Sequence, residues 1–443
     1  MAKGTVYIET YGCQMNVSDS ELMLGKLRAD GYTPVDAPEG ADVILLNTCA
    51  IRDHAEQRVI GRLGELKAAM HPQSVMGVTG CMAQRLGPTL LERARHVSLV
   101  VGPDGYRTLP ALVERARSGS RSTHTTFDLE EHYEDVAPER TDRVRAWVPV
   151  QRGCNYKCTY CIVPTTRGPE RSRRLEDVVR EVEKVAADGL TEVVLLGQTV
   201  NSYRQDDHDF ADLLRAVGRV DGVRRLRFTS PHPNDFSDRV IRAMAEVSAF
   251  CEHVHLPMQS GSSRVLKRML RRYSREEYLS CVGRLREAIP GLALTTDIIV
   301  GFPGESDEDF EETLSAVREV SFDDAFTFKF SPRDGTPATR MPASDTVTDA
   351  VATTRLERLI AEVRAGSRQR NLRLLGERRE VLIEKPAKRG ELLQTRTRDY
   401  KTVLIPGDAS MVGQYVTVEL TGTTGSTFTG AVVRERTPLP VAG

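Results

Sequence analysis

The chain is expected to be an α/β protein in three parts: an N-terminal open parallel sheet, a central run of βα units and a small C-terminal β-barrel. Three observations predict this. Continuous apolar runs alternate with amphipathic stretches through the first two parts, the rhythm of parallel strands joined by crossover helices. The final part changes to short strands separated by Gly, Pro and Thr turns. Between them, Cys154, Cys158 and Cys161 stand just past the first apolar run of the central part, where βα units carry their chemistry.

The first part spans 1–117. Strands are expected over Thr5–Thr10, Asp42–Asn47, Val75–Thr79 and Ser98–Val101, with helices over Ser18–Asp30, Arg52–Met70, near Pro88–Arg95 and over Leu109–Arg117. Cys13, Cys49 and Cys81 each fall just beyond the carboxyl end of a strand. In an open α/β sheet those ends share one edge, and ligands bind there. A single cysteine at such a place reads as a small apolar residue. Three at equivalent positions point to a metal centre. The segment 118–145 is polar, with the acidic runs Asp128-Leu129-Glu130-Glu131 and Glu134-Asp135, and is expected to be a linker without chemistry.

The central part spans 146–371. Strands are expected over Trp147–Gln151, Glu192–Leu196, Arg225–Thr229, His253–Leu256, Leu294–Val300 and Ala325–Phe330. Helices such as Leu175–Asp188, Phe210–Val220, Ser237–Val247 and Arg275–Ile289 lie between them. Six units are too few for a closed eight-stranded barrel. The C-x3-C-x2-C spacing puts three soft ligands on one loop, one short of the four that usually close an iron–sulfur or zinc site. A cubane held this way keeps one iron open to a small molecule. The alternatives are a zinc knob, for which no fourth Cys or His follows at finger-like spacing, and unrelated core cysteines. Loops at the other strand ends carry Gln198, Asn201, Ser230 and Gln259. Arg167, Arg171 and Arg173 form a local basic patch that reads as a phosphate-facing rim or a solvated helix start. His253 and His255 are expected in packing or substrate contacts, and Cys251 and Cys281 in the core.

The last part spans 372–437 and follows a helix expected over Thr346–Leu375, rich in arginine near its end (Arg364, Arg368, Arg370, Arg373). Strands are expected over Glu380–Ile383, Leu392–Thr397, Thr402–Ile405, Gln414–Leu420 and Gly430–Val433. Lys385, Lys388, Arg389, Arg396, Arg398 and Lys401 decorate them, and small basic barrels often bind nucleic acid. A net charge of −1 over 443 residues excludes a globally basic binder, so any RNA contact is local. No apolar run reaches the length of a membrane span, and Met1-Ala2-Lys3-Gly4-Thr5 leads into a strand rather than a signal peptide. Eight cysteines without paired spacing suggest a reducing compartment. A cytoplasmic monomer with no membrane contact is expected.

The two cysteine trios and the terminal barrel together resemble the radical S-adenosylmethionine (SAM) methylthiotransferases over nearly the whole chain. The resemblance rests on Thr10-Tyr11-Gly12-Cys13-Gln14-Met15-Asn16, the Cys154 loop, Leu196-Gly197-Gln198-Thr199-Val200-Asn201 and His255-Leu256-Pro257-Met258-Gln259-Ser260-Gly261-Ser262. The stretch Phe330-Ser331-Pro332-Arg333-Asp334-Gly335-Thr336-Pro337-Ala338 adds to it. It implies a partial (βα)6 barrel, a terminal TRAM domain, two [4Fe-4S] clusters on the six cysteines and SAM near Tyr160, Gln198, Asn201, Ser230 and Gln259. It also implies tRNA contacts, at the anticodon loop, from Arg167, Arg171, Arg173, Lys385, Arg396 and Arg398, and an external electron donor and sulfur source. The activity implied is methylthio transfer to carbon 2 of N(6)-dimethylallyladenosine in tRNA. Sister enzymes acting on a ribosomal-protein aspartate or on threonylcarbamoyladenosine carry Pro-Lys-Asn or Lys-Val-Asn after the first cysteine, and Gln14-Met15-Asn16 matches neither. Thr165 and Pro169 depart from the family pattern at the substrate rim. The sister substrates and a zinc-stabilised RNA-binding protein without catalysis are the competing readings.

Overall fold

The computed structural model describes residues 3–50, 53–388 and 390–433. Six strands, β1 (Gly4–Tyr11), β2 (Tyr32–Pro34), β3 (Val43–Thr48), β4 (Val75–Gly80), β5 (Leu99–Val101) and β6 (Ser122–His124), build the first sheet. It is parallel throughout, in the order β2-β1-β3-β4-β5-β6. Every residue of β3 and β4 is buried, because helices cover both faces of the sheet centre.

Two features depart from expectation. The helix after β1 runs Gln14–Ala29 and starts earlier than its apolar periodicity indicates, because Cys13 and Asn16 cap it. The segment 118–145 is not a linker: Ser122–His124 pairs with β5 as the sixth strand. Further on, Arg140 ion-pairs with Glu21 of the first helix at 3.2 Å and also with Glu181 of the central part. Its polarity misled because these charges face partners on both sides rather than water. The expected helix from Arg52 is Asp53–Leu66; Arg52 itself lies outside the described residues.

The central part opens with β7 (Arg145–Pro149). A short antiparallel ribbon, β8 (Gln151–Arg152) with β9 (Arg171–Ser172), closes the base of the cysteine loop. β10 (Glu192–Leu196) lies parallel to β7, and a second ribbon, β11 (Arg204–Gln205) with β12 (His208–Asp209), follows. β13 (Arg225–Phe228) completes one parallel trio, and β14 (His253–His255), β15 (Ala293–Val300) and β16 (Asp324–Lys329) form another. A parallel bridge, Leu226 to Phe250, joins the trios into an open six-stranded half-barrel. Alternate residues divide its faces. Val148, Leu195 and Phe228 pack outward with the helices. Trp147, Val194 and Leu196 face inward, where Met15 of the first part packs on them.

The helix Asp349–Leu372 is 24 residues long, about 36 Å, and runs the height of the half-barrel. It is tied near its start to Lys329 at the end of β16, and near its end to Ser321 before that strand begins. Five strands follow: β17 (Arg378–Pro386), β18 (Leu392–Thr397), β19 (Thr402–Pro406), β20 (Tyr415–Thr423) and β21 (Thr427–Val432). They close as a barrel in the order β17-β18-β19-β21-β20. This barrel caps the amino ends of the central strands. Arg225 and Arg227, in β13, donate to the carbonyls of Arg396, Thr397 and Arg398 at 2.7–3.0 Å. Lys401 pairs with Asp323 at 2.7 Å.

That docking corrects two sequence expectations. Arg396 binds Glu384 and the Thr402 hydroxyl, and Arg398 binds Glu252 with the Ser248 and Phe250 carbonyls. Arg398 is spent on the domain interface and Arg396 on partners within its own barrel, rather than either being displayed to RNA. Lys385 and Lys388 stay exposed, and Arg389 lies outside the described residues. No helix among the described residues is long and apolar enough to cross a membrane.

Beneath the barrel, the fully buried Glu192 faces Arg145, Arg225 and Arg227 at 3.4–3.9 Å. Removing one partner from a buried ion set leaves uncompensated charge. Glu192→Ala is therefore expected to lower stability by about 3–5 kcal/mol, read as a fall in the urea midpoint; an unchanged midpoint contradicts this role.

Candidate functional site

The first trio of thiols sits on three neighbouring strand ends. Cys13 caps the helix after β1, Cys49 follows β3 and Cys81 opens the helix Cys81–Leu86 after β4. Register places Tyr11, Thr48 and Gly80 side by side, so the thiols share one edge. A buried amide lattice fixes that edge. Asn16 Nδ2 donates to Asn47 Oδ1 at 3.2 Å, and Asn47 Nδ2 donates to the Asn16 carbonyl at 2.7 Å and to Ser20. Gly80 has φ +89°, and a Cβ there would meet Asn47 Oδ1 at 2.4 Å. The neighbouring Cys49 thiol holds Cys13 down to about 6, while burial pushes Cys81 up.

The second trio lies on the loop between β8 and the helix Val163–Arg167. Gly153 has φ +75° and turns the chain into the loop; a Cβ on it would come within 1.9 Å of the Pro169 carbonyl oxygen. Cys154 N–H donates to Gly168 O at 3.1 Å, and Cys161 N–H to Cys158 O at 3.0 Å. Thr159 ties the loop to Met269 and Arg268. Burial pushes the Cys161 thiol up to about 12 and raises Cys154. Burial disfavours the thiolate, and a bound metal reverses that. Among the described residues no three such side chains are drawn together as a ligand set for a single ion. A cubane asks for something different, since each thiolate binds a separate iron. Each trio offers three such donors, with Gly80 and Gly153 turning the chain just before Cys81 and Cys154, and that donor set fits a cubane.

The two trios face each other across the domain boundary. Arg167, at the end of the helix after Cys161, donates from Nε to Cys81 Sγ at 3.0 Å and pairs with Asp19 at 2.6 Å. Arg171 forks onto both oxygens of Asp104 at 2.9 and 3.0 Å. Arg173 binds Glu181 and the Pro149 carbonyl. All three arginines are buried, which overturns the phosphate-facing rim. Their carboxylate partners lie in other elements, so no local pattern in the sequence announces them.

The other mouth residues divide by role. Tyr160 packs edge-on against Phe302 in an apolar cluster with Val265 and Met269. Gln198 accepts from Gly153 N–H and so supports the cysteine turn. Asn201 spends both ends of its amide on the His232 backbone, at 2.7 and 2.9 Å. Ser230 and Gln259 both have positive φ, +57° and +69°. Strain in non-glycine residues at strand ends gathers at binding sites. Cys154 Sγ lies 3.1 Å from Thr199 Oγ1, and Cys158 Sγ 3.5 Å from Arg271 Nη1. Thr199 and Arg271 escape a sequence reading because neither sits in the thiol motif. His253 and His255 both contact Thr295 Oγ1, and His255 faces Asp297 at 3.3 Å. Cys251 and Cys281 are buried away from both trios, as expected.

Sequence families agree with this division. The Radical SAM superfamily matches residues 148–317, the uncharacterized protein family UPF0004 residues 5–102 and the TRAM domain residues 372–433. A tRNA-2-methylthio-N(6)-dimethylallyladenosine synthase from Anoxybacillus flavithermus is 46% identical over 439 residues, 97% of this chain and 83% of that protein. One from a Thermoanaerobacter species is 44% identical, over 96% of this chain and 92% of its own. The chain belongs to the radical-SAM methylthiotransferases. Family membership brings SAM and iron–sulfur chemistry with it. Among solved structures, the radical SAM methyltransferase TsrM from Kitasatospora setae shares the fold at TM-score 0.57 and 15% identity, covering 76% of this chain and 74% of its own. The cobalamin-dependent radical SAM enzyme OxsB does so at 0.53 and 13%, covering 82% and 57%.

Two predictions follow from the geometry of this methylthiotransferase site. Gly153→Ala is expected to displace the Cys154 loop and reduce iron bound by that trio after reconstitution; full iron content would contradict the turn's role. His232 stacks on Tyr156 at 3.8 Å, and burial, with Arg271 and Arg272 nearby, pushes it down to about 2. The unfolded chain therefore takes up this proton first, near pH 6.5, so stability is full above that pH and falls as pH drops toward the folded value. His232→Gln is expected to flatten that slope in urea titrations between pH 7 and pH 5.

Proposed function

We propose that this chain adds a methylthio group to carbon 2 of N(6)-dimethylallyladenosine at position 37 of tRNA, beside the anticodon. One SAM serves as methyl donor and another as radical source. The observation that carries the reading is the meeting of two cysteine trios from two domains, with Arg167 of one bonded to Cys81 of the other. Cys154, Cys158 and Cys161 would hold one [4Fe-4S] cluster, and Cys13, Cys49 and Cys81 the other. The first cluster and SAM would together supply the radical chemistry that an unactivated aromatic C–H bond requires and no side chain provides.

The chain's own residues bind, orient and exclude water. Arg271 donates toward Cys158, and the Thr199 hydroxyl shares a hydrogen bond with Cys154. Tyr160, with Phe302 and Met269, walls the thiol loop with apolar surface. Gln198, Ser230 and Gln259 would contact SAM at the mouth. tRNA would be gripped by Lys385 and by Arg364 and Arg368, one turn apart on an exposed stripe of the helix Asp349–Leu372. An external electron donor and sulfur source complete the reaction, and a cytoplasmic setting suits both.

Replacing Cys154, Cys158 or Cys161 with Ala is expected to abolish 5′-deoxyadenosine formation. Replacing Cys13, Cys49 or Cys81 is expected to leave SAM cleavage and stop methylthio transfer. Nucleoside mass spectrometry of tRNA from cells lacking the protein tests the substrate: N(6)-dimethylallyladenosine should accumulate without its 2-methylthio product. Unchanged tRNA, or zinc in place of iron and sulfide after anaerobic purification, would defeat the reading.

A further inference from the structure

Arg167 belongs by sequence to the radical-SAM part, yet its side-chain contacts lie on two helices of the N-terminal part. It is 2% exposed. Nε donates to Cys81 Sγ at 3.0 Å and Nη2 to Asp19 at 2.6 Å, while Nη1 is buried with no hydrogen-bond partner. Arg152, from the same part, approaches the other Asp19 oxygen at 3.5 Å and also leaves its Nη1 buried and unpartnered. Asp19 is 1% exposed along its side chain and takes one more contact, from the Tyr106 hydroxyl at 3.3 Å. Buried guanidinium N–H groups without acceptors are costly. Arg167 lies beside a metal-ligand thiol, where the sulfurs of a bound cluster would supply the acceptor its Nη1 lacks.

We propose that Arg167, held by Asp19, is a positioning residue of the N-terminal cluster, and that its N–H donation to the Cys81 sulfur raises that cluster's reduction potential. The proposal rests on the assignment of Cys13, Cys49 and Cys81 as cluster ligands. A reduced cluster carries one more negative charge than an oxidised one. Hydrogen bonds to its sulfurs and a fixed positive charge favour the reduced form. Asp19 opposes that charge, so the potential reflects the balance of the pair. Arginine suits the task because one planar fork addresses a sulfur and a carboxylate at once and never deprotonates. Because Arg167 comes from the other domain, the sulfur-bearing centre reaches its working potential only when the two domains are docked.

The test uses the full chain with Cys154, Cys158 and Cys161 replaced by Ala, so that iron binds only at the N-terminal trio, with potentials read by EPR-monitored titration. Arg167→Gln is expected to shift the potential down and Asp19→Asn to shift it up. The double variant should return near the parent value, which structural damage would not do. Should Arg167→Gln lose its iron, Asp19→Asn carries the test alone. Potentials that stay put, or that move in the same direction in both single variants, overturn the proposal and leave the cluster assignment standing. A parent that binds no iron overturns the assignment, and the proposal with it.

Discussion

The architecture depends on a small set of buried ion pairs between domains. Asp19 and Asp104 in the N-terminal part receive Arg152, Arg167 and Arg171 from the central part. Taking five charges out of water is expensive, and attraction repays the cost only where geometry is close and hydrogen bonds are nearly complete. Such pairs contribute specificity of docking more than net stability. Here they determine which edge of the first sheet meets which end of the half-barrel. The result is that thiols far apart in the chain are brought to one boundary between the two parts.

The opposite end of the half-barrel is governed by a second buried charge set. Arg145, Glu192 and Arg225 open their strands and Arg227 follows on the same face of β13, under the C-terminal barrel. With that end closed, the strand lumen is reached from the carboxyl ends, where the loops carry Cys154, Ser230 and Gln259. The inward faces between the two ends are mixed: Trp147, Val194 and Met15 on one side, His255 and Asp297 on the other. A lumen that is apolar on one wall and polar on the other suits a flat, partly polar ring more than a purely greasy ligand.

Backbone conformation tells the same story locally. Gly80 and Gly153, each just before a thiol, occupy left-handed φ with no room for a side chain. Ser230 and Gln259 hold comparable φ without being glycine, and the surrounding hydrogen bonds maintain them: Gln259 is clamped between Asp297 and Ile299. Strain of this kind persists only where neighbours over-determine the conformation. It gathers at the strand ends that frame the mouth.

The strands and helices of both α/β parts were legible because burial on one or both faces imposes a period on the apolar residues. Glu192–Leu196, Leu109–Arg117 and Leu392–Thr397 end where their patterns end. The placement of the six thiols was legible too, three on one loop and three at equivalent strand ends. The destination of the charged residues was not. Arg167, Arg171, Arg396 and Arg398 read locally as solvated or phosphate-facing, and 118–145 read as a linker. Periodicity records which side of an element is buried, but it carries no record of which distant carboxylate will meet an arginine. Only the tertiary fold decided that, since such pairs form between elements far apart in the chain, 148 residues for Arg167 and Asp19.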